Sequence, residues 1–118
     1  MFINLTNHPA GKWDAPQLAA AQEYGEITDI AFPQIEPMAT SAEVTALAQE
    51  YAGRIAKMKP KAVLCQGEYT FVYAAVAELK RRGIVALSAC SKRCVSEIVV
   101  DGAAKKVVDF RFVQFREY

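Results

Sequence analysis

Apolar residues follow two alternating patterns along the chain. Short runs rich in branched and aromatic side chains, typical of buried β-strands, occupy residues 2–6, 27–32, 62–65 and 84–89. Between them lie longer segments in which apolar residues recur every three or four positions, the spacing of an amphipathic helix. This alternation of strand and helix predicts a parallel sheet joined by crossover helices.

Three helices are predicted from this spacing and from signals at their ends. Asp14 is placed to cap the first helix, which ends near Gly25. Thr40-Ser41-Ala42-Glu43 matches a capping box at the start of the second, and Pro60 ends it. The third helix ends at Gly83.

The C-terminal part of the chain has a different pattern. Residues 95–100 and 106–115 are strand-like runs joined through Asp101-Gly102, a pair suited to an antiparallel hairpin. The fold class predicted for the 118 residues is therefore α/β, a single Rossmann-like domain over residues 1–118 with three crossover helices and a C-terminal β-hairpin. The last run has apolar residues on both faces, which a second copy of the chain would cover; a strand covered on both sides within one chain would give the same pattern.

Three loops are expected at the carboxyl edge of this sheet, where ligands of such folds bind. They span residues 6–13, 66–70 and 88–93. Together they hold the only histidine, the only tryptophan, an amide beside a glycine, a carboxylate and a Lys-Arg pair. We therefore expect a ligand site at this edge.

The first loop contributes Asn7, His8, Lys12 and Trp13. His8 has the side-chain type that exchanges protons near neutral pH, so it is a candidate catalytic residue. The alternative is a loop histidine that only forms hydrogen bonds with nearby backbone. Lys12 offers charge and Trp13 a stacking surface for a base. An exposed lysine and a tryptophan that covers the core would give the same sequence.

The second loop carries Gln66, Gly67, Glu68 and Thr70. Gln66 and Glu68 are suited to base edges or ribose hydroxyls, and Gly67 permits a close approach of backbone to a ligand before a helix N-terminus that suits phosphate. The alternative is that these residues end a strand and cap the third helix, a role for which Thr70 is equally suited.

The third loop contributes Ser91, Lys92 and Arg93. Two cations after a buried parallel strand are suited to neutralise a phosphate and the charge that develops in a transition state, which makes Lys92 and Arg93 candidate catalytic residues. A solvated turn is the alternative.

The three cysteines predict neither a disulfide framework nor a metal site. Their odd number suits a reducing compartment, and the three-residue gap between Cys90 and Cys94 differs from the usual zinc spacing, even with Cys65 and His8 added. A Cys65–His8 nucleophile pair has no supporting signature. We expect no metal and no cofactor, since neither a Walker motif nor G-x-G-x-x-G follows the first strand.

Composition excludes several classes of partner. Fourteen basic and 13 acidic residues give a net charge of +1, which argues against binding along duplex nucleic acid. With 53% hydrophobic and 23% charged residues, no apolar run approaches a membrane span. The N-terminus lacks the basic leader of a secretory signal, so a cytoplasmic location is expected.

Short motifs spread along the chain resemble those of small stand-alone CARF-like accessory proteins of type III CRISPR systems, of the kind proposed as ring nucleases. The residues that carry the resemblance are Asn7-His8-Pro9, Gln66-Gly67-Glu68 with Thr70 and Tyr73, Ser91-Lys92-Arg93, and residues 110–118.

The resemblance implies a homodimer with a shared pocket for a cyclic oligoadenylate, in particular cyclic tetra-adenylate. It also implies metal-independent cleavage by a ribose 2′-hydroxyl of the ligand, which switches off the antiviral signal. Because catalytic residues differ among ring nucleases, a non-catalytic sponge or sensor remains open. A flavodoxin-like protein-interaction module is a third possibility.

Overall fold

The computed structural model describes residues 1–118 and contains three helices and one five-stranded sheet. The α/β prediction is confirmed, with a mostly parallel, Rossmann-like sheet and a C-terminal antiparallel pair of strands. The elements in chain order are β1 (Phe2–Leu5), α1 (Ala15–Gln22), β2 (Ile27–Asp29), α2 (Ser41–Met58), β3 (Ala62–Cys65), α3 (Tyr69–Arg81), β4 (Ala86–Val100) and β5 (Ala103–Glu117), with a 3-10 turn at Ala10–Lys12 between β1 and α1.

The strand order is β2-β1-β3-β4-β5, so β1 lies between β2 and β3. β1 pairs in parallel with both neighbours, and β3 pairs in parallel with β4. From β1 the chain crosses to β2 on one edge of β1, and it then returns to form β3 on the other edge of β1. The carboxyl ends of β1 and β3 therefore form the point where the strand order reverses, which is where ligands of such sheets bind.

Two apolar clusters cover the two faces of the sheet. Along β3, Val63 and Cys65 face the cluster that α2 and α3 cover, while Ala62 and Leu64 face the smaller cluster that contains Ala21 of α1. This alternation follows from the two-residue period of a strand. Helices on both faces explain why β1 and β3 are apolar almost throughout and fully buried.

The helix starts follow the predicted capping signals at two places. The Asp14 carboxylate accepts a hydrogen bond from the backbone N–H of Gln17 at 3.1 Å. The Thr40 hydroxyl accepts one from the N–H of Glu43, also at 3.1 Å, and the Glu43 carboxylate completes the capping box. At the third helix Glu68 is the cap.

Two strand boundaries differ from the prediction. β2 is shorter than residues 27–32 because Pro33 follows soon after it and Phe32 packs into the α2–α3 side of the core instead. β4 is longer than predicted, since the segment 88–93, expected to be a loop, is part of the strand. Its polar residues are tolerated because β4 pairs there with β5 alone and has solvent on its other edge.

The last two strands form a long hairpin. Asp101 and Gly102 at its tip have φ angles of 52° and 77°, as the predicted tight turn requires. At its base the Tyr118 hydroxyl donates a hydrogen bond to the carbonyl oxygen of Cys65 at 2.7 Å and ties the hairpin to β3. None of the three helices has both the length and the apolar character needed to cross a bilayer.

Candidate functional site

The loop after β1 is held by a hydrogen-bond network centred on Asn4, a buried polar residue. Its amide nitrogen donates to the carbonyl oxygen of His8 and to the carboxylate of Asp29, each at 2.8 Å, and its oxygen accepts from the Thr6 hydroxyl at 2.8 Å. Asp29 also accepts from the N–H of Ala10 at 3.1 Å. The network fixes the backbone around His8 at the carboxyl edge of β1.

Trp13 has a structural role that is visible in its contacts. Its indole N–H donates to the carbonyl oxygen of His8 at 3.1 Å, and its ring packs edge-on against Phe2 with centroids 6.2 Å apart. The His8 carbonyl oxygen thus accepts from Asn4, Thr6 and Trp13, while the His8 imidazole makes no hydrogen bond within the chain and is exposed. The imidazole is free to meet a ligand.

Gln66 links the ends of two neighbouring strands. Its side-chain oxygen accepts a hydrogen bond from the N–H of Ala89 at 2.8 Å, just beyond the last parallel pairing of β3 with β4. The oxygen is therefore used within the fold. The amide nitrogen of Gln66 has no partner in the chain, so it is the part of this side chain that can contact a ligand.

The prediction that the start of α3 suits a phosphate is wrong. The Glu68 carboxylate already accepts hydrogen bonds from the N–H groups of Thr70 at 2.5 Å and of Phe71 at 3.4 Å. The Thr70 hydroxyl donates to the same carboxylate at 2.7 Å, and this bond is the main reason why the pKa of Glu68 is lowered. Glu68 and Thr70 therefore cap α3, which was the alternative interpretation of these residues.

Gly67 is also required for a reason other than a ligand. A methyl group at its α-carbon would overlap the ring of Phe32. The glycine allows the Phe32 ring to pack against Phe71, with ring centroids 5.0 Å apart. The close approach expected at Gly67 is therefore one of side chain to backbone inside the protein.

A cavity of about 840 Å³ opens at this edge of the sheet. Of the predicted site residues, Asn7, His8, Lys12, Trp13, Gln66, Gly67 and Ser91 line it. The loop after β1, the end of β3 and the first half of β4 converge on this cavity, at the edge of the sheet where the candidate site was expected. Glu68, Thr70, Lys92 and Arg93 do not line it.

Lys92 and Arg93 lie in the antiparallel ladder, paired with Arg111 and Phe110 respectively. The expectation that they extend into the site from a loop is wrong, because β4 continues through them. The cavity also has lining residues that the sequence did not indicate: residues 109–112 of β5, Asp14 at the cap of α1, and Gln17 of α1. Arg111 is the cation of the cavity lining that the sequence did not indicate.

A family model matches residues 1–116 of the chain. The chain belongs to the uncharacterized protein MJ1673 family. Neither the curated proteins nor the solved structures include a match. Membership in the MJ1673 family assigns no activity, so the chemistry of this family member is argued from the cavity itself.

The charges around the cavity of this MJ1673 family member are unequally engaged. The carboxylate of Asp14 caps α1, and that of Asp109 lies 3.5 Å from Nε of Arg111. Lys12 forms no ion pair. The unpaired Lys12, the exposed His8 imidazole and the guanidinium nitrogens of Arg111 other than the Nε that faces Asp109 are donors that suit an anionic ligand.

The cysteines do not supply chemistry to this cavity. Burial raises the pKa of the Cys65 thiol to about 12, which keeps it protonated and unsuitable as a nucleophile at neutral pH. Cys90 and Cys94 are half-buried in β4, and all three thiols are unpaired. No group of three or more His, Cys, Asp or Glu side chains is placed to hold a metal ion.

Proposed function

We propose that the cavity binds a cyclic oligoadenylate, in particular cyclic tetra-adenylate, and that the protein cleaves it in the cytoplasm as a homodimer. The observation that carries the proposal is the cavity at the β1–β3 edge, in which His8, Lys12 and Arg111 lie together. Its volume of about 840 Å³ lies within the range of roughly 300–1,000 Å³ that is usual for small-molecule sites.

The residues around the cavity match the chemical groups of such a ligand. Lys12 and Arg111 offer donors for phosphate oxygens, and the amide nitrogen of Gln66 offers one for a ribose or an adenine edge. Phe110 and Phe112, which alternate with Arg111 along β5, add apolar residues to the lining, which suits the face of a base. A net charge of +1 is no obstacle, because a ring of few phosphates needs only a local group of cations.

The proposed reaction uses a nucleophile from the ligand. A ribose 2′-oxygen attacks the adjacent phosphorus, the new P–O2′ bond forms, and the bond from phosphorus to the 5′-oxygen of the next nucleotide breaks. The 2′-hydroxyl loses its proton, the departing 5′-oxygen gains one, and the products are a cyclic 2′,3′-phosphate and a 5′-hydroxyl. No water is consumed.

The protein would contribute positioning, charge and proton transfer to this reaction. Arg111 takes the role first assigned to Lys92 and Arg93, which is to stabilise the additional negative charge of the phosphorane. His8 is the group placed to move a proton. Binding in one geometry that aligns the 2′-oxygen with the leaving oxygen supplies the remaining acceleration.

A non-catalytic binder is the second candidate, and one observation favours it. His8 is the only side chain along the cavity of the type that both takes and gives a proton near neutral pH, because the carboxylates of Asp14 and Asp109 are held by other groups and Lys12 is a cation. In-line cleavage needs a proton removed at one oxygen and delivered at another. One free imidazole is no obstacle to binding. It gives the reaction only one group that can both take and give a proton.

Incubation of the protein with cyclic tetra-adenylate in EDTA tests the proposal. Mass spectrometry should show linear products ending in a cyclic phosphate, and their formation should slow strongly in His8→Ala. Tight binding with an unchanged ring would establish the non-catalytic binder instead. Absence of both binding and cleavage would reject the proposed ligand and leave the flavodoxin-like interaction module.

A further inference from the structure

The outer part of the terminal hairpin, residues 91–112, extends away from the rest of the molecule. β4 pairs with β3 only at Ala86 and Leu87, so this segment, called the arm below, has no neighbouring strand beyond its own two. The Cα radius of gyration is 16.8 Å, whereas a compact chain of this length has roughly 13–14 Å. The arm accounts for the elongated shape of 54 × 38 × 21 Å.

The arm exposes apolar side chains that a two-stranded ribbon in water does not normally retain. Val95 and Val108 are 50% and 47% exposed, Phe110 is 65% exposed and Val99 is 77% exposed. An isolated two-stranded hairpin is marginally stable at best, and a further strand or a packed surface is needed to hold it. The arm therefore requires a partner.

These side chains form a strip along one face of the arm. Residues directly opposite each other in an antiparallel ladder lie on the same face, and residues two apart along a strand share that face. From the base to the tip, the pairs on this face are Ser91–Phe112, Arg93–Phe110, Val95–Val108, Glu97–Lys106 and Val99–Ala104. The strip begins at the cavity, because Ser91 and Phe112 line it.

The charges of the strip are arranged symmetrically around its middle. Arg93 precedes Val95 by two residues and Glu97 follows it by two. A half-turn about an axis that crosses the strip at Val95 and Val108 therefore brings Arg93 opposite Glu97 of the partner subunit. The same rotation brings Lys106 over the ring of the partner's Phe110, a cation–π arrangement.

Only this orientation separates the two globular bodies. Each body lies at the base of its arm, so two arms stacked with their strands running the same way would bring both bodies to one end, where they would collide. Stacking with opposite directions puts the bodies at opposite ends. It also puts the tip of each arm, at Val99 and Ala104, over Ser91 and Phe112 of the other subunit.

We propose that two copies of the chain pair face to face through the strips of their arms, about a two-fold axis at Val95 and Val108. The apolar pairs at the centre lose contact with water, and the Arg93–Glu97 pairs fix the direction of stacking. Each arm tip then closes the open side of the partner's cavity. This last consequence rests on the proposed ligand site, whereas the pairing of the arms does not.

Reciprocal charge changes test the arrangement in the absence of ligand. Light scattering should give the wild type twice the 13.0 kDa mass of one chain. Arg93→Glu and Glu97→Arg should each convert it to a monomer. The double variant should form the dimer again, even though it contains both substitutions and so any destabilisation that they cause within a single chain. Lys105→Glu is the matched control, since Lys105 pairs with Ile98 and lies on the opposite face of the arm; it should remain a dimer.

The possible outcomes separate this inference from the proposed function. A monomeric wild type, or single variants that stay dimeric with normal circular dichroism, would overturn the arm pairing. If a single variant loses its circular dichroism signal, recovery of the dimer in the double variant decides the question, and failure to recover overturns the pairing. A dimer with the expected charge pattern that binds no cyclic tetra-adenylate would preserve the arm pairing and reject the ligand.

Discussion

The ring of Phe32 occupies the position that a β-carbon on residue 67 would take, so Phe32 can pack there only because residue 67 is glycine. The backbone at Gly67 has a φ angle of 157°, at the border of the region that favours glycine. The contact holds the end of β3 against the segment after β2 and so shapes the floor of the cavity.

Replacing Gly67 by alanine should destabilise the fold by roughly 1–3 kcal/mol, because the new methyl group forces the Phe32 ring out of its packing. Urea unfolding followed by circular dichroism measures the change. In a Phe32→Ala background the same substitution should cost clearly less, since the residues are coupled. Gly11→Ala is the control: no atom lies within 4 Å of the added carbon, and stability should remain unchanged.

Replacing Asn4 by alanine should lower the free energy of unfolding by roughly 2–3 kcal/mol, because it removes the hydrogen bonds that this buried amide makes to His8, Asp29 and Thr6. Hydrogen exchange should also rise in residues 6–13, whose backbone Asn4 holds through the His8 carbonyl. Asn7→Ala, at an exposed position in the same loop, should change neither quantity. Unaltered exchange in the Asn4 variant would show that the network does not hold the loop.

The ion pairs at the end of α3 predict a loss of stability in acid. Hydrogen bonds from Arg81, and then from Arg82, lower the pKa of Glu78 from 4.5 to about 2. Because the folded pKa is the lower one, the contribution is complete above about pH 4.5 and disappears as the pH falls towards 2. Thermal unfolding of Glu78→Gln across this interval should show a shallower pH dependence than the wild type, and parallel curves would contradict the assignment.

Replacing Arg111 by alanine should weaken binding of cyclic tetra-adenylate roughly 10- to 100-fold, the effect of losing one or two charge-assisted hydrogen bonds. Isothermal titration calorimetry in EDTA measures the affinity. Lys105→Ala, which removes the same charge from the arm outside the cavity, is the control for long-range electrostatics. Equal affinities of the Arg111 variant and the wild type would remove Arg111 from the site.

Local patterns in the sequence were sufficient for most of the fold. The spacing in α2, the capping box at Thr40 and the turn at Asp101 and Gly102 act within a few residues, so each can be recognised without knowledge of the rest of the molecule. The course of β4 through Lys92 and Arg93 could not, because residues 91–93 are all exposed polar residues and show no alternation of apolar and polar positions.

The position of the cavity could be predicted from the sequence, whereas only part of its lining could. Residues directly after β1 and β3 were recognisable because the strand ends meet at one edge. Arg111 is brought there by the folding back of β5, a long-range event without a local signal. Asn4 is visible in the sequence as a polar residue inside an otherwise apolar strand, and a polar side chain buried there must find hydrogen-bond partners.

The central position of β1 affects how the protein can be made. β1 precedes both of its partners in the chain and needs them on its two edges, and the second of these, β3, ends at Cys65, more than half of the way along the 118 residues. Until then a largely apolar stretch of nascent polypeptide has an unpaired edge, the condition under which chaperones bind and chains aggregate. Synthesis that pauses before residue 65 should therefore be the most vulnerable stage in the production of this protein.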